Sequence, residues 1–254
     1  MKQAVILAGG FGTRMRDESD FRPKPLVQIG ERPILEHIIF ILAKQGFTDF
    51  IVLLGYKGIQ IRDHFIKFRE HTTTTKINLK TGEVNYLDDS LFPRCEITFM
   101  DTGEESLTGE RLRRASKYLE NEFLLTYGDG IANVNVADLI ESHKASNCPV
   151  TVTVTQNPSR FGVVKISEGG KVMSFSEKRE GHDLINMGFF IVKKESLALL
   201  PPDTMLEVEF MHNLIKVGKL NSYKHDGFFA AIDTPRDLDR VNRLYKDGAL
   251  PWLI

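Results

Sequence analysis

Several residues between Leu7 and Pro25 are of types that handle phosphate. Gly9, Gly10 and Gly12 are followed at once by Thr13 and Arg14, and Lys24 stands within Arg22-Pro23-Lys24-Pro25. Glycines let a backbone turn at dihedrals closed to other residues and approach a ligand closely. Backbone N–H groups freed in this way, beside the cations of Arg14 and Lys24, can hold phosphate oxygens. The plainer alternative is an ordinary turn with two solvent-facing cations. Neither GxxxxGK[ST] nor GxGxxG occurs here, so this is not a Walker A loop and not a dinucleotide fingerprint.

Two aspartates add a second kind of chemistry. Asp129 sits between Gly128 and Gly130, and Asp233 precedes Thr234-Pro235. Mg²⁺ takes one or two carboxylates together with substrate phosphates, a role open to both. Asp129 can equally close an Asx turn, and Asp233 can cap the helix that starts at Pro235. Distance in sequence does not say whether the two meet.

The elements expected to position these groups alternate between strand and helix. Gln3 to Ala8 is a short apolar run bounded by glycine, a buried strand. Ile34, Leu35, Ile38, Ile39 and Leu42 recur at helical spacing behind Pro33. Phe50 to Leu54 is the second strand and Gly58 to Phe68 the next helix, a parallel α/β opening. A polar stretch at 69–94 breaks the rhythm, with a hairpin around Lys80-Thr81-Gly82. Strands follow at Glu96 to Met100, Glu122 to Tyr127 and Pro149 to Thr155, with helices at Leu107 to Leu119 and Val136 to Lys144. Gly162 to Ile166 and Lys171 to Phe175 form an antiparallel hairpin, so the sheet is mixed. Strands at Asn186 to Val192, Asn221 to His225 and Phe228 to Ile232 come next. A helix spans Leu206 to Val217, and Pro235 to Tyr245 is the last. Arg14, Lys24, Asp101-Thr102-Gly103, Asp129, Glu177-Lys178 and Asp233 all fall after expected strands, where ligands collect in α/β sheets.

Composition narrows the function classes. The 254 residues are 42% hydrophobic and 26% charged with a formal net charge of −1. That balance argues against a nucleic-acid or membrane-surface partner. No run of 18 apolar residues appears and the chain starts directly in a strand pattern, so a cytoplasmic protein is expected. Cys95 and Cys148 read as reduced thiols, and the scattered histidines suggest no structural zinc. Arg111, Arg113 and Arg114 form the densest cationic spot, read by pattern alone as a solvated helix face. The apolar ending Ala249 to Ile254 is expected to dock on the body or on a neighbouring subunit.

AVILAGGFGTRM followed by RPKPLVQIGERPILEH resembles the signature of the sugar-1-phosphate nucleotidyltransferases, and specifically the glucose-1-phosphate cytidylyltransferase family. The resemblance implies an α/β, Rossmann-like nucleotidyltransferase core with a mixed, mainly parallel sheet and helices on both faces, one domain spanning 1–254. It also implies Mg²⁺-dependent transfer of a cytidylyl group from CTP to glucose 1-phosphate, with release of pyrophosphate. By motif, Leu7, Ala8 and Gly9 to Arg14 (Gly9, Gly10, Gly12, Thr13, Arg14) become the triphosphate loop and Lys24 its second cation. YGDG makes Asp129, beside Gly128, one metal ligand, and AIDTPRDL makes Asp233 the other. Arg14, Lys24 and Asp129 are the implied catalytic residues. SFSEKREG puts Lys178 on the phosphate of the sugar phosphate and Glu177 near the sugar hydroxyls, and NMGFF puts Asn186 and Gly188 beside the hexose. DTGEESLTGERLRRA lays Thr108, Gly109 and Arg111 over the nucleotide base. The polar insertion at 69–94 resembles that of the cytidylyltransferase branch, where it binds nucleotide or builds a homo-oligomer.

Three departures bear on the sugar. Met187 and Glu110 each replace a family glycine, and the 201–220 helical segment lacks the family's Trp and Pro at 205–214. A different nucleoside triphosphate, or a different sugar or polyol phosphate, is therefore the first rival. An NAD(P)-dependent oxidoreductase and a non-catalytic nucleotide sensor are the others. The missing GxGxxG weighs against the former, and the retained cations and carboxylates against the latter.

Overall fold

Alternating side chains in the strands sort onto two buried faces. In β1 (Gln3–Ala8), Ala4, Ile6 and Ala8 join one apolar cluster and Val5 and Leu7 the other. Each fully buried Ile, Leu or Val of this kind stabilises by about 1.5–3 kcal/mol, so such a strand is drawn to the sheet centre. The computed structural model describes residues 1–12, 15, 22–88, 93–156, 163–166, 172–176 and 184–253.

After β1 come α1 (Ile34–Lys44), β2 (Asp49–Leu54), α2 (Gly58–Ile66), β3 (Glu96–Asp101) and α3 (Thr108–Ala115). They are followed by β4 (Glu122–Tyr127), β5 (Gly130–Ala132), α4 (Val136–Ser146), β6 (Val150–Gln156) and β7 (Leu184–Lys193). The chain continues with α5 (Met211–Lys216), β8 (Leu220–Lys224), β9 (Phe229–Ala231) and α6 (Pro235–Lys246). Seven strands form one sheet in the order β8-β6-β7-β4-β1-β2-β3. β7 runs antiparallel to both neighbours, and every other pairing is parallel. Leu35, Leu139 and Val241 of α1, α4 and α6 pack on one face. Leu112 and Leu214 of α3 and α5 pack on the other. The mixed, mainly parallel sheet with helices on both faces is the architecture expected.

Several boundaries differ. Phe68–Thr72 is a separate helical turn after α2, and α3 stops at Ala115 before a 3-10 turn at Ser116–Tyr118. Leu206–Phe210 is a π-helical turn that runs into α5, not one continuous helix from 206. β9 is no part of the main sheet; it pairs antiparallel with β5, a three-residue strand too short to show a period. Within the polar insertion, Thr75–Ile77 and Val84–Tyr86 form the hairpin, and Asn78 closes its turn by accepting the Gly82 N–H at 2.8 Å. The second hairpin pairs Val163–Ile166 with Val172–Ser176. The C-terminal segment docks on the body: Trp252 is 0% exposed and packs on His37 and Phe228. Among the described residues, no helix is long and apolar enough to cross a membrane.

Candidate active site

β1 ends at Ala8, in mid-sheet, so the glycines that follow emerge at the carboxyl edge of the parallel strands. The Gly9 carbonyl is pulled inward: it accepts from the Arg111 Nη2 at 2.9 Å and from the Tyr56 N–H at 3.2 Å. A planar trans peptide points its C=O and N–H in opposite directions. Holding Gly9 O inward therefore turns the Gly10 N–H outward, towards the solvent side where a phosphate can sit. A Cβ on Gly9 would lie 2.3 Å from the Arg111 guanidinium carbon, so no other residue fits without moving that arginine. Met15, 1% exposed, anchors the far side of the loop and donates its N–H to the Gly12 carbonyl at 2.9 Å. The expectations for Thr13 and Arg14 lie outside the described residues.

Lys24 opens a short 3-10 turn, Lys24–Leu26, entered through Pro23 at φ −64°. The flanking prolines stop the turn from growing into a helix and fix the direction of the lysine stem. Its ammonium lies 2.8 Å from Asp129 Oδ2 and 2.6 Å from Asp233 Oδ1, partners 105 and 209 positions away. Burial alone would push the ammonium's pKa down. The pull of the two carboxylates outweighs it, and the net pKa is raised. Lys24 is thus a fixed positive charge.

The two-stranded ribbon of β5 and β9 explains why the aspartates meet. Asp129 directly precedes β5 and Asp233 closely follows β9. Ala231 is in register with Gly130. An antiparallel pair places the start of one strand beside the end of the other, and the Ile232 N–H closes the gap on the Asp129 carbonyl at 3.0 Å. Gly128 makes the approach to β1 possible, its N–H donating to the Leu7 carbonyl at 2.9 Å. The cap of α6 is Thr234, in a capping box with Asp237, and not Asp233. The Asp233 carboxylate faces Lys24.

Both aspartates line a cavity of about 470 Å³ with Tyr127, Asn186, Gly188 and Glu207. Asn186 and Gly188 owe their positions to a bulge. Val152 pairs with Phe190 and Val154 with Asn186, so Thr153 faces three residues of β7. Gly188 takes φ +78° there, and a Cβ would come within 2.2 Å of the Tyr127 ring. The Asn186 side-chain oxygen accepts the Gly188 N–H at 2.7 Å, closing the turn. Met187 borders the cavity, yet it is 4% exposed and packs in the cluster of Phe189 and Ile191. It lends the cavity bulk beneath its wall. Glu177 and Lys178 lie outside the described residues.

Arg111, read by pattern as part of a solvated helix face and by resemblance as a base contact, is 4% exposed. Nη1 donates to the carbonyls of Leu54 and Gly103 and to Thr102 Oγ1, and Nη2 donates to the carbonyls of Gly9 and Glu104. Burial lowers its pKa. Its planar fork ties together the loops after β1, β2 and β3, a task for which lysine has no geometry. Thr108 and Gly109 likewise meet the chain itself: Thr108 donates to Glu207 Oε2 at 2.7 Å, and the Gly109 N–H to the Thr204 carbonyl at 3.1 Å. Glu110 is 1% exposed and accepts from Arg113 and Arg114 at 2.6–2.8 Å, which leaves those two arginines engaged on their own helix.

Glu207 and Tyr127 escaped the sequence reading. Tyr127 O–H donates to Glu207 Oε1. The available signal was the survival of Glu207 in a segment whose other marker residues, Trp and Pro, are replaced. Among the described residues, the edge offers the outward Gly10 N–H, the fixed cation of Lys24 and two half-exposed carboxylates at a roomy cavity. That set can bind phosphates and a hard cation.

Comparisons with known proteins agree with this chemistry. The family model described as nucleotidyl transferase matches residues 3–209. The chain is 41% identical to the probable glucose-1-phosphate cytidylyltransferase of Bacillus subtilis (strain 168), over 99% of both chains. It is 38% identical to the glucose-1-phosphate cytidylyltransferase of Salmonella typhi, over 98% of both. The crystal structure of HddC from Yersinia pseudotuberculosis superposes with a TM-score of 0.71 at 26% identity, covering 96% of this chain and 100% of that one.

Proposed function

Since the chain belongs to the nucleotidyl transferase family, on the branch of its glucose-1-phosphate cytidylyltransferase relatives, we propose that it converts CTP and glucose 1-phosphate to CDP-glucose and pyrophosphate. The observation that carries this reading is that Asp129 and Asp233, both paired with Lys24, line one cavity with Asn186 and Gly188.

In the reaction, an oxygen of the sugar phosphate attacks the α-phosphorus of CTP. That P–O bond forms as the bond to the bridging oxygen breaks, and pyrophosphate leaves. The demand on the protein is alignment of two polyanions and neutralisation of their charge. The N–H groups of Gly9, Gly10 and Gly12 hold the triphosphate, and Lys24 offsets charge growing at the α-phosphate. Arg14 and Thr13 take the outer phosphates, Lys178 the sugar phosphate and Glu177 the sugar hydroxyls, as the family resemblance implies. Asn186 and Gly188 face the hexose. A phosphate monoester is already largely ionised near neutral pH, so no strong general base is needed.

Asp129 and Asp233 fit a hard divalent cation: two carboxylates from separate loops converge on one positive charge and border the substrate cavity. When bound there, Mg²⁺ would supply further neutralisation of phosphate charge. The assignment is tested by pyrophosphate release in magnesium buffer, with CTP, UTP, GTP, ATP and dTTP each paired with a panel of sugar 1-phosphates. Turnover confined to CTP with glucose 1-phosphate is expected. Turnover with CTP and another phosphate would move the acceptor, and preference for another nucleotide would overturn the cytidylyl assignment.

The second reading, a different sugar or polyol phosphate, draws on one feature: the π-helical turn at Leu206–Phe210 replaces the family's Trp- and Pro-bearing segment beside the cavity. A homo-oligomer is also proposed, because the insertion hairpin presents Ile77, Val84 and Leu87 to solvent and Leu79 is 93% exposed.

A further inference from the structure

Among the described residues, three acids line the cavity, and they are not equivalent. Asp129 and Asp233 share the Lys24 ammonium. Glu207, the third, has no cation partner among the described residues and is held instead by two hydroxyls. Tyr127 O–H donates to Oε1, and Thr108 Oγ1 donates to Oε2 at 2.7 Å. Thr108 in turn accepts the Leu206 N–H at 2.9 Å, so the carboxylate is fixed from both sides and from its own backbone.

The backbone beneath Glu207 is unusual in a way that suits this. Leu206–Phe210 is a π-helical turn, a conformation rare in proteins and frequent at functional sites. Leu206 and Phe210, both 0% exposed, anchor its ends in the apolar cluster on the α3 side of the sheet. Between them Glu207 reaches the wall of the cavity that Asn186 and Gly188 also line. Tyr127, which contacts it, also fills the space that a side chain at position 188 would need.

We infer that Glu207 is a specificity-determining residue of the acceptor pocket, receiving hydroxyl groups of a neutral sugar ring and turning away acidic ones. A carboxylate has about four acceptor sites. Two are taken by Tyr127 and Thr108, which leaves two for hydroxyl donors of the ring. Carrying no proton to donate, it pairs with hydroxyls and repels a second carboxylate. Such built-in repulsion is how a pocket rejects a close analogue. The chemical class selected is an uncharged polyhydroxylated ring bearing one phosphate, in preference to a uronic acid 1-phosphate. This inference rests on the proposed function, since it needs a sugar phosphate as the second substrate.

The test is the Glu207→Gln variant, which keeps the volume and removes the charge. Steady-state constants are measured for CTP and glucose 1-phosphate separately, and for glucuronic acid 1-phosphate as competitor substrate. The KM for glucose 1-phosphate should rise about ten-fold, with the KM for CTP within two-fold of the parent. The preference for glucose over glucuronic acid 1-phosphate, as a ratio of kcat/KM, should shrink at least ten-fold. Tyr127→Phe, which releases one carboxylate oxygen and keeps the ring, should shift the sugar KM about three-fold in the same direction, and it serves if the first variant fails to fold. Unchanged sugar KM and unchanged preference in a folded variant would overturn the inference alone. Equal losses for CTP and sugar would also overturn it, by showing a merely structural role. A parent chain that turns over no sugar phosphate would overturn the proposed function, and this inference with it.

Discussion

At the scale of single residues, the site depends on side chains whose backbone has been forced into place. Gly188 is the clearest, at φ +78° with the Tyr127 ring 2.2 Å from where a Cβ would sit. Gly188→Ala should strain the bulge and push Tyr127 off Glu207, lowering kcat/KM for the sugar phosphate at least ten-fold. Stability should fall by about 1–3 kcal/mol, the range for overpacking a filled site. Affinity for CTP, measured by calorimetry, should stay near the parent value; a matching loss there would mean that the bulge serves the whole edge. Lys24 and Asp129 are legible in the sequence because prolines and glycines around them mark special backbone. Their meeting is not, because it spans 105 positions and depends on a turn settled only in three dimensions. Asp233 was ambiguous for a different reason: Asp before Thr-Pro satisfies the pattern of a cap, and only the Thr234–Asp237 box resolves it. Arg111 misleads in the opposite sense. Three arginines close together look like a solvated face, yet one of them is buried against carbonyls.

Among the elements, α3 is the one that ties the edge together. Through Arg111 it grips the loops after β1, β2 and β3, and through Glu110 it reaches Asp203, whose N–H donates to the carboxylate at 3.2 Å. The Arg113 guanidinium, with help from Arg114 and against the cost of burial, lowers the Glu110 pKa from 4.5 to about 2. The folded value lies below the unfolded one, so the unfolded chain takes up the proton first as pH falls. The stabilisation is therefore complete above about 4.5 and is lost as pH drops towards about 2. Glu110→Gln should cost about 1–3 kcal/mol at pH 7, as expected for charge-assisted hydrogen bonds at a buried carboxylate. Urea unfolding at pH 7 and pH 3.5 should show the gap between parent and variant narrowing at the lower pH; a constant gap would mean that packing and not charge holds this corner. Strands and long amphipathic helices were readable from period alone. The β5–β9 ribbon and the π turn at 206–210 were not, because a three-residue strand has no period and a π turn keeps a helical pattern.

For the molecule as a whole, the parallel order of the sheet is what gathers the site. The ends of β1, β2, β3 and β4 open on one edge, and antiparallel β7 brings its starting residues to the same edge. Away from that edge, the insertion hairpin exposes Leu79 at 93% and Ile77 at 55%, which suits a contact between copies. Light scattering should find the parent chain oligomeric, and Leu79→Asp with Ile77→Asp should lower its mass without changing the melting of the core; an unaltered mass would remove the hairpin from any interface. Transfer of the cytidylyl group by the chain, with Lys24 at its centre, is tested by following labelled phosphorus. CTP carrying label at the α-phosphate is incubated with glucose 1-phosphate, magnesium and either the parent chain or Lys24→Met. Label is expected in CDP-glucose for the parent, with a rate on the order of 100- to 1,000-fold lower for the variant, the cost of removing one preorganised charge at a transition state. Label that stays in CTP with the parent, or transfer that Lys24→Met sustains at the parent rate, would contradict that expectation.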